Sequence, residues 1–180
     1  MGQGWWSKQQ TSKARFAMTD ILDKLRISLE SIETQYHRLI ILINCEGAVK
    51  QEVLDMLESS RDIKPLNLNL ELSSRLLEVS IKQRPLKVAE NMEDLIKAMP
   101  SPVLLDRLDI LFEPSLQTDS LALLKSLSRN KTIIAFWTGT MKDNKLYYAD
   151  PGYPEYKSNP VEDFVAIDAK PQESFTEGEF

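Results

Sequence analysis

The sequence predicts an α/β protein in which helices cover both faces of a central, mostly parallel sheet, giving three layers. Short runs of apolar, often β-branched residues predict strands buried on both faces. Longer stretches with apolar residues three and four positions apart predict amphipathic helices. Because strands and helices alternate along the chain, parallel pairing through right-handed crossovers is favoured. With 180 residues, the chain is long enough to bury one sizeable core.

The predicted elements follow one another without an internal repeat or a long linker. The predicted helices cover residues 19–36, 50–60, 71–79, 88–99 and 118–128, and the predicted strands cover residues 39–43, 66–68, 103–106, 132–137, 146–149 and 164–167. We therefore predict a single domain from 18 to 168. Residues 1–17 lack any periodicity and predict a flexible leader, and residues 169–180 predict a disordered acidic tail.

Composition limits the functions that we consider. The formal net charge is −5, so no overall basic field attracts nucleic acid, and direct DNA binding is disfavoured. The single Cys45 excludes an internal disulfide and fits a reducing, cytoplasmic environment. No apolar run reaches membrane-spanning length.

A phosphate-binding loop is predicted directly after the strand at 39–43. Gly47 and Lys50 follow this strand, and an amphipathic helix begins at about Lys50, which is the layout of strand, glycine turn and lysine in the Walker A motif. The match is incomplete, because Asn44 and Val49 occupy the two glycine positions of the full motif. Gln51 stands where a serine or threonine hydroxyl would bind Mg²⁺, and an amide is a weak substitute.

A second candidate is the strand 103–106, which ends in Asp106, as a Walker B strand does. A carboxylate at this position can hold the water shell of a Mg²⁺ ion bound to nucleotide phosphates. Many ATPases have a glutamate next, but here the residue is Arg107, so Asp109 is the nearest alternative carboxylate. Asp106 could instead merely end a buried strand; its combination with Lys50 favours the functional interpretation.

Two further residues complete the predicted site. Thr138 follows the strand 132–137 and is a candidate sensor of the γ-phosphate, although threonines are common at strand ends. Arg129 is a candidate arginine finger reaching the nucleotide of a neighbouring subunit, or simply a cation at a helix C-terminus. Ligands of parallel sheets bind beyond the carboxyl ends of the strands. We therefore predict nucleotide binding by Asn44, Gly47, Ala48, Val49, Lys50, Gln51 and Thr138, with Asp106, Asp109 and Arg129 as catalytic candidates.

The chain also resembles the BrxF family, the small P-loop proteins of type III BREX (bacteriophage exclusion) systems. The resemblance covers about residues 19–168, and its clearest segments are residues 67–78, 104–112, 127–132, 137–140 and 151–156. It implies a P-loop NTPase-like fold, ATP and Mg²⁺ as ligands, and a role in phage defence in the bacterial cytoplasm. It also implies partners: a methyltransferase, a helicase and a large ATPase.

Three functions stay open from the sequence. The first is ATP binding with weak or partner-activated hydrolysis, and the second is a non-catalytic adaptor that holds other BREX proteins together. The third is a DNA-contacting module. Lys50 and Asp106 favour nucleotide binding, whereas Val49, Gln51 and the missing Walker B glutamate disfavour efficient turnover. A homo-oligomer is compatible with all three functions.

Overall fold

Five strands form the central sheet of the structure, a computed structural model that describes residues 19–170. The predicted leader and residues 171–180 of the predicted tail lie outside this range. The helices are α1 (residues 19–31), α2 (Gly47–Arg61), α3 (Leu68–Leu77), α4 (Arg84–Ala98) and α5 (Ser120–Leu127). The strands are β1 (Leu39–Ile43), β2 (Pro65–Asn67), β3 (Val103–Asp106), β4 (Ile133–Trp137), β5 (Thr140–Lys142), β6 (Lys145–Tyr148), β7 (Lys157–Pro160) and β8 (Val165–Asp168).

The strand order of the central sheet is β2-β3-β4-β1-β8, and every neighbouring pair is parallel. The prediction of an α/β protein with a mostly parallel sheet is confirmed. The order places β4 between β1 and β3, so the strand that precedes Lys50 and the strand that ends in Asp106 are not direct neighbours. All five strands run the same way, and their carboxyl ends share one edge of the sheet.

Side chains of β1 alternate between two hydrophobic cores. Leu39, Ile41 and Ile43 pack with the apolar faces of α3, α4 and α5. Ile40 and Leu42 pack on the opposite face with α1 and α2. Because successive strand residues point to opposite faces, a strand covered on both sides needs an unbroken apolar run, and all five residues of β1 are fully buried. The predicted three-layer arrangement is therefore present.

A second sheet was not predicted from the sequence. Strands β5, β6 and β7 form a separate antiparallel sheet, and β7 falls in a segment to which no strand was assigned. The sheet joins the main core through Leu146, which is fully buried, and through stacking of Tyr148 on Phe112 at 3.6 Å between ring centroids. The strand predicted at 146–149 thus exists but belongs to this small sheet, because a two-residue turn favours antiparallel pairing.

The ordered chain also extends past the predicted end of the domain at residue 168. The Ala169 N–H donates to the Ile43 carbonyl at 2.9 Å, and the Lys170 N–H donates to Asp168 Oδ1 at 2.9 Å. The first bond continues the pairing of β8 with β1 by one residue, and the second is a local bond within the chain that follows β8. Within residues 19–170, none of the helices has the length and apolar content that a membrane span requires.

Candidate functional site

The candidate site lies where β1, β3, β4 and β8 end, at the carboxyl edge of the central sheet. Strand register brings the ends level: Ile43 pairs with Trp137 on one side and with Asp168 on the other. The polar residues that follow these strands therefore gather at one edge, as expected for parallel strands. This edge collects most of the residues that the sequence singles out.

The connection between β1 and α2 is only three residues long, running from Asn44 to Glu46. Asn44 has a φ of +53°, and so does Gly47. Non-glycine residues rarely adopt this left-handed conformation, and asparagine tolerates it better than most. Asn44 therefore satisfies the backbone geometry at the position where the full motif has its first glycine.

Two predicted loop residues belong to the helix instead. Ala48 and Val49 lie in the first turn of α2, and Val49 is half-buried against the core on that face. The long, glycine-rich loop of a full Walker A motif is therefore absent, because α2 begins at Gly47. The first N–H groups of a helix have no partner within the helix, and no side chain caps the start of α2.

Lys50 and Asp106 form the centre of the site. Lys50 Nζ donates to Asp106 Oδ1 at 2.6 Å, and the two side chains are 28% and 19% exposed. The ammonium also lies 4.7 Å from the centre of the Phe136 ring. Asp106 Oδ1 accepts a second bond, from the Arg107 N–H at 2.9 Å, whereas no bond to Oδ2 is present within residues 19–170. The structure thus brings together two residues that are 56 positions apart in the chain.

Asp168 is a site residue that the sequence analysis missed. Its Oδ1 accepts a hydrogen bond from Asn44 Nδ2 at 2.7 Å, which holds the Asn44 side chain toward β8. The available signal was the same as for Asp106, an aspartate directly after a buried apolar strand. Asp168 was predicted only as the end of the domain, because the sequence does not show that β8 lies beside β1.

Thr138 and Gln51 lie at the same edge, but neither is hydrogen-bonded to Lys50 or Asp106. Thr138 follows β4, is exposed, and has no hydrogen bond in the part of the chain that the structure describes. Gln51 is exposed on α2, where its Nε2 donates to Asp55 Oδ1 at 2.8 Å. Gln51 is thus hydrogen-bonded along its own helix and makes no contact with Asp106.

Two catalytic candidates do not join Lys50 and Asp106. Asp109 lies in a short 3₁₀ helix, and its Oδ2 accepts from Asn69 Nδ2 at 3.3 Å. Arg129 lies at the opposite, amino edge of the sheet, where its carbonyl accepts from Arg38 Nη2 at 2.8 Å and its guanidinium lies 5.1 Å from the Tyr36 ring. Arg129 therefore cannot act on a nucleotide bound by its own chain; its role toward a neighbouring subunit stays a prediction.

The donor set fits Mg²⁺ only through water. In the described range, no group of three or more His, Cys, Asp or Glu side chains is placed to hold a metal ion. Mg²⁺ commonly keeps several waters and uses one or two carboxylates together with substrate phosphates. Asp106, whose Oδ2 accepts no bond from residues 19–170, matches that mode of binding, whereas Gln51 is directed to Asp55. Asp106 is therefore the residue that would hold the ion through its water shell.

Cys45 is buried beneath this loop and is expected to stay protonated. Burial raises the pKa of its thiol from 9.0 to about 11, an effect that Glu46 adds to and that the positive charge of Lys50 opposes. A thiol with so high a pKa is a poor nucleophile at neutral pH. Cys45 is therefore part of the core that supports the loop.

We predict that Cys45 makes the protein less stable in alkali. Between pH 9.0 and about 11, the unfolded thiol loses its proton while the folded thiol keeps it. The unfolded state then binds fewer protons, so the free energy of unfolding falls as pH rises through this range. Urea denaturation at pH values across the range should show a smaller fall for Cys45→Ala than for the unmodified protein. Equal falls would contradict the prediction.

Together, the fold and the site define an α/β protein with a lysine–aspartate pair at the carboxyl edge of a parallel sheet. Comparisons with protein-family models, with curated proteins and with solved structures found no match to the chain.

Proposed function

We propose that this chain is a P-loop NTPase-like protein that binds ATP with Mg²⁺ at the Lys50–Asp106 site. One observation supports the proposal above the others: the amine and the carboxylate lie 2.6 Å apart at the edge where parallel sheets bind ligands. If Lys50 and Asp106 had lain at opposite edges of the sheet, the proposal would have been excluded. The sequence motif predicts that these two residues act together, and their proximity supports that prediction.

Each residue of the site has a defined task in this proposal. The Lys50 ammonium leaves Asp106 and neutralises the phosphate oxygens, while the free N–H groups at the start of α2 donate to them. Asp106, once released, orients the water shell of the Mg²⁺ that accompanies the nucleotide. Asn44, held by Asp168, fixes the left-handed turn that leads the chain from β1 into α2. Thr138 lies at the end of the strand between them, where it can sense the γ-phosphate.

Hydrolysis in this proposal is weak or depends on a partner. The residue after Asp106 is Arg107, which is exposed and cannot polarise an attacking water as a carboxylate would. Asp109 is bonded to Asn69 and does not contact the Lys50–Asp106 pair. A partner would therefore have to supply or rearrange the group that activates water.

The resemblance to BrxF extends the proposal to a biological setting. We propose that the chain works in the bacterial cytoplasm as a component of a type III BREX phage-defence system, beside its methyltransferase, helicase and large ATPase. The net charge of −5 gives no support to direct DNA contact.

A non-catalytic adaptor is the second candidate function, and the closed ion pair favours it. Lys50 already has a carboxylate partner, and Gln51 is bonded to Asp55, so the site is satisfied without a nucleotide. In this alternative the Lys50–Asp106 pair joins α2 to the sheet, and the chain serves only to hold other proteins together.

Calorimetric titration with Mg-ATP distinguishes the two functions. We expect saturable binding with a Kd on the order of 100 μM, equivalent to about −5.5 kcal/mol. Restoring a magnesium-binding hydroxyl with Gln51→Thr should tighten binding severalfold, since it supplies the ligand that the motif lacks. Glu52→Gln, on the same exposed surface of α2, is the matched control and should change little. No binding by either the unmodified protein or Gln51→Thr would favour the adaptor.

A further inference from the structure

A groove on the α3 side of the sheet has no role in the proposed nucleotide site. It consists of two cavities, of about 470 Å³ and about 290 Å³, which share Ser73, Ile110 and Glu113 in their walls. We call the larger one the acidic cavity and the smaller one the apolar cavity. Because they share wall residues, the two cavities lie side by side along α3, and together we call them the groove.

The acidic cavity carries uncompensated negative charge beside an aromatic surface. Asp109, Glu113 and Glu155 line it, and among the residues that the structure describes no lysine or arginine does. None of the three carboxylates forms an ion pair within residues 19–170. Tyr148, also in the wall, is stacked on Phe112 with the two ring planes only 9° apart.

The environment of Tyr148 shows the same negative field. Burial raises the pKa of its phenol, and the charges of Asp109, Glu155 and Glu113 raise it further. A cation placed among these groups would gain both charge attraction and contact with an aromatic ring. The acidic cavity is therefore suited to a guanidinium or ammonium group.

The apolar cavity has the opposite character. Leu76, Leu77 and Leu116 line it, and Arg84 and Glu113 contribute one charge of each sign to its wall. Leu77 is 72% exposed, and three more aliphatic side chains on α3, α4 or the turn between them are also largely exposed: Leu70, Ile81 and Leu86. Exposed aliphatic side chains beside a cavity, such as Leu77, are typical of protein interaction surfaces.

We propose that this groove binds a segment of a partner protein that carries aliphatic residues at one end and arginine or lysine at the other. The basic end lies in the acidic cavity against Tyr148, and the aliphatic end covers Leu77. Charge complementarity decides the direction, because Asp109 and Glu155 line only the acidic cavity, whereas Arg84 and Glu113 together give the apolar cavity no net charge. A free polyamine would fill only the acidic cavity and leave the leucines exposed, so a protein segment fits the whole groove better.

The groove is separate from the nucleotide site but close to it along the chain. The Asn69 N–H donates to the Arg107 carbonyl at 3.1 Å, and Arg107 directly follows Asp106. Asn69 also holds Asp109 in the wall of the acidic cavity. The partner would thus lie beside the strand end that carries Asp106, and its binding does not require that ATP binds.

Fluorescence anisotropy with the full chain tests this proposal. The probe is a short labelled peptide with leucines at one end and arginines at the other, compared with a peptide in which glutamate replaces each arginine. We expect the arginine peptide to bind and the glutamate peptide not to bind. Glu113→Gln with Glu155→Gln should weaken binding about fivefold to tenfold, because each exposed charge pair contributes modestly. Leu77→Ser should weaken it by a similar factor.

Controls separate the groove from general charge attraction. Glu90→Gln with Glu52→Gln removes the same charge from exposed positions outside the groove and should leave binding unchanged. Circular dichroism checks that each variant is folded. The proposal is overturned if the two peptides bind equally, if neither binds, or if Leu77→Ser has no effect. Displacement of the arginine peptide by spermidine together with insensitivity to Leu77→Ser would assign a polyamine to the acidic cavity and would also overturn it.

Discussion

Replacing Lys50 with methionine should weaken Mg-ATP binding at least about tenfold, since a hydrogen bond to a charged group contributes about 1.5–3 kcal/mol. Methionine keeps the length and the apolar stem of lysine but removes the charge that would meet the phosphates. Calorimetric titration of the variant measures the loss. Lys64→Met is the matched control, because Lys64 is exposed outside the site and should be neutral.

The loss of binding must be separated from a loss of stability. Lys50→Met leaves Asp106, which is only 19% exposed, without its partner, so we expect a destabilisation of about 1 kcal/mol. Adding Asp106→Asn removes the unpaired charge and should restore stability in urea denaturation. The double variant should still fail to bind Mg-ATP. If it binds as tightly as the unmodified protein, the nucleotide site lies elsewhere.

Replacing Gly139 with alanine should destabilise the protein by about 3 kcal/mol, the upper part of the range for overpacking. A Cβ at this position would lie 1.7 Å from the Tyr147 carbonyl oxygen and 2.6 Å from Trp137 Nε1. It would also separate those two groups, which share a hydrogen bond of 3.1 Å. The Tyr147 backbone and the buried Trp137 indole surround the glycine, so displacing either of them costs free energy.

Urea denaturation followed by tryptophan fluorescence measures this effect, because Trp137 reports directly on the strained region. Thr140→Ala is the control: its side chain is exposed one residue away and should change stability little. Since Thr138 lies between Trp137 and Gly139, a folded Gly139→Ala protein should also show altered Mg-ATP binding. A change in stability below about 0.5 kcal/mol would show that the small sheet is not fixed against β4 as described.

Most residues of the candidate site were predicted from the sequence, because they follow predicted strands of a parallel sheet. Lys50 was predicted from its place in a Walker A-like motif and Asp106 from its place at the end of a buried strand, and the structure joins them at 2.6 Å. Arg129, which was predicted to reach the nucleotide of a neighbouring subunit, lies away from the Lys50–Asp106 pair of its own chain. Arg129 precedes β4, so it must lie at the amino edge.

Other features depended on long-range packing. The helix α2 begins at Gly47 and not at about Lys50, so Ala48 and Val49 belong to the helix and not to the loop. Packing of Val49 against the core stabilises this earlier start. Along α1, Ile21 is buried and Leu22 is partly buried against the same core, whereas Tyr36 is exposed, since a 3₁₀ turn at Ile32–Thr34 ends the helical period. Neither the start of α2 nor the end of α1 has a local sequence signal strong enough to predict it.

The sequence by itself determined the class of fold and the buried strands, because a strand covered on both faces must be apolar without interruption and β1 satisfies this requirement. It also determined which strand ends carry polar groups. Only the tertiary structure decided strand order, and with it the contact between Asn44 and Asp168, the placement of β4 between β1 and β3, and the separate antiparallel sheet. Strand order depends on which surfaces pack together across the whole chain. The local sequence of each strand therefore does not predict which strand lies beside it.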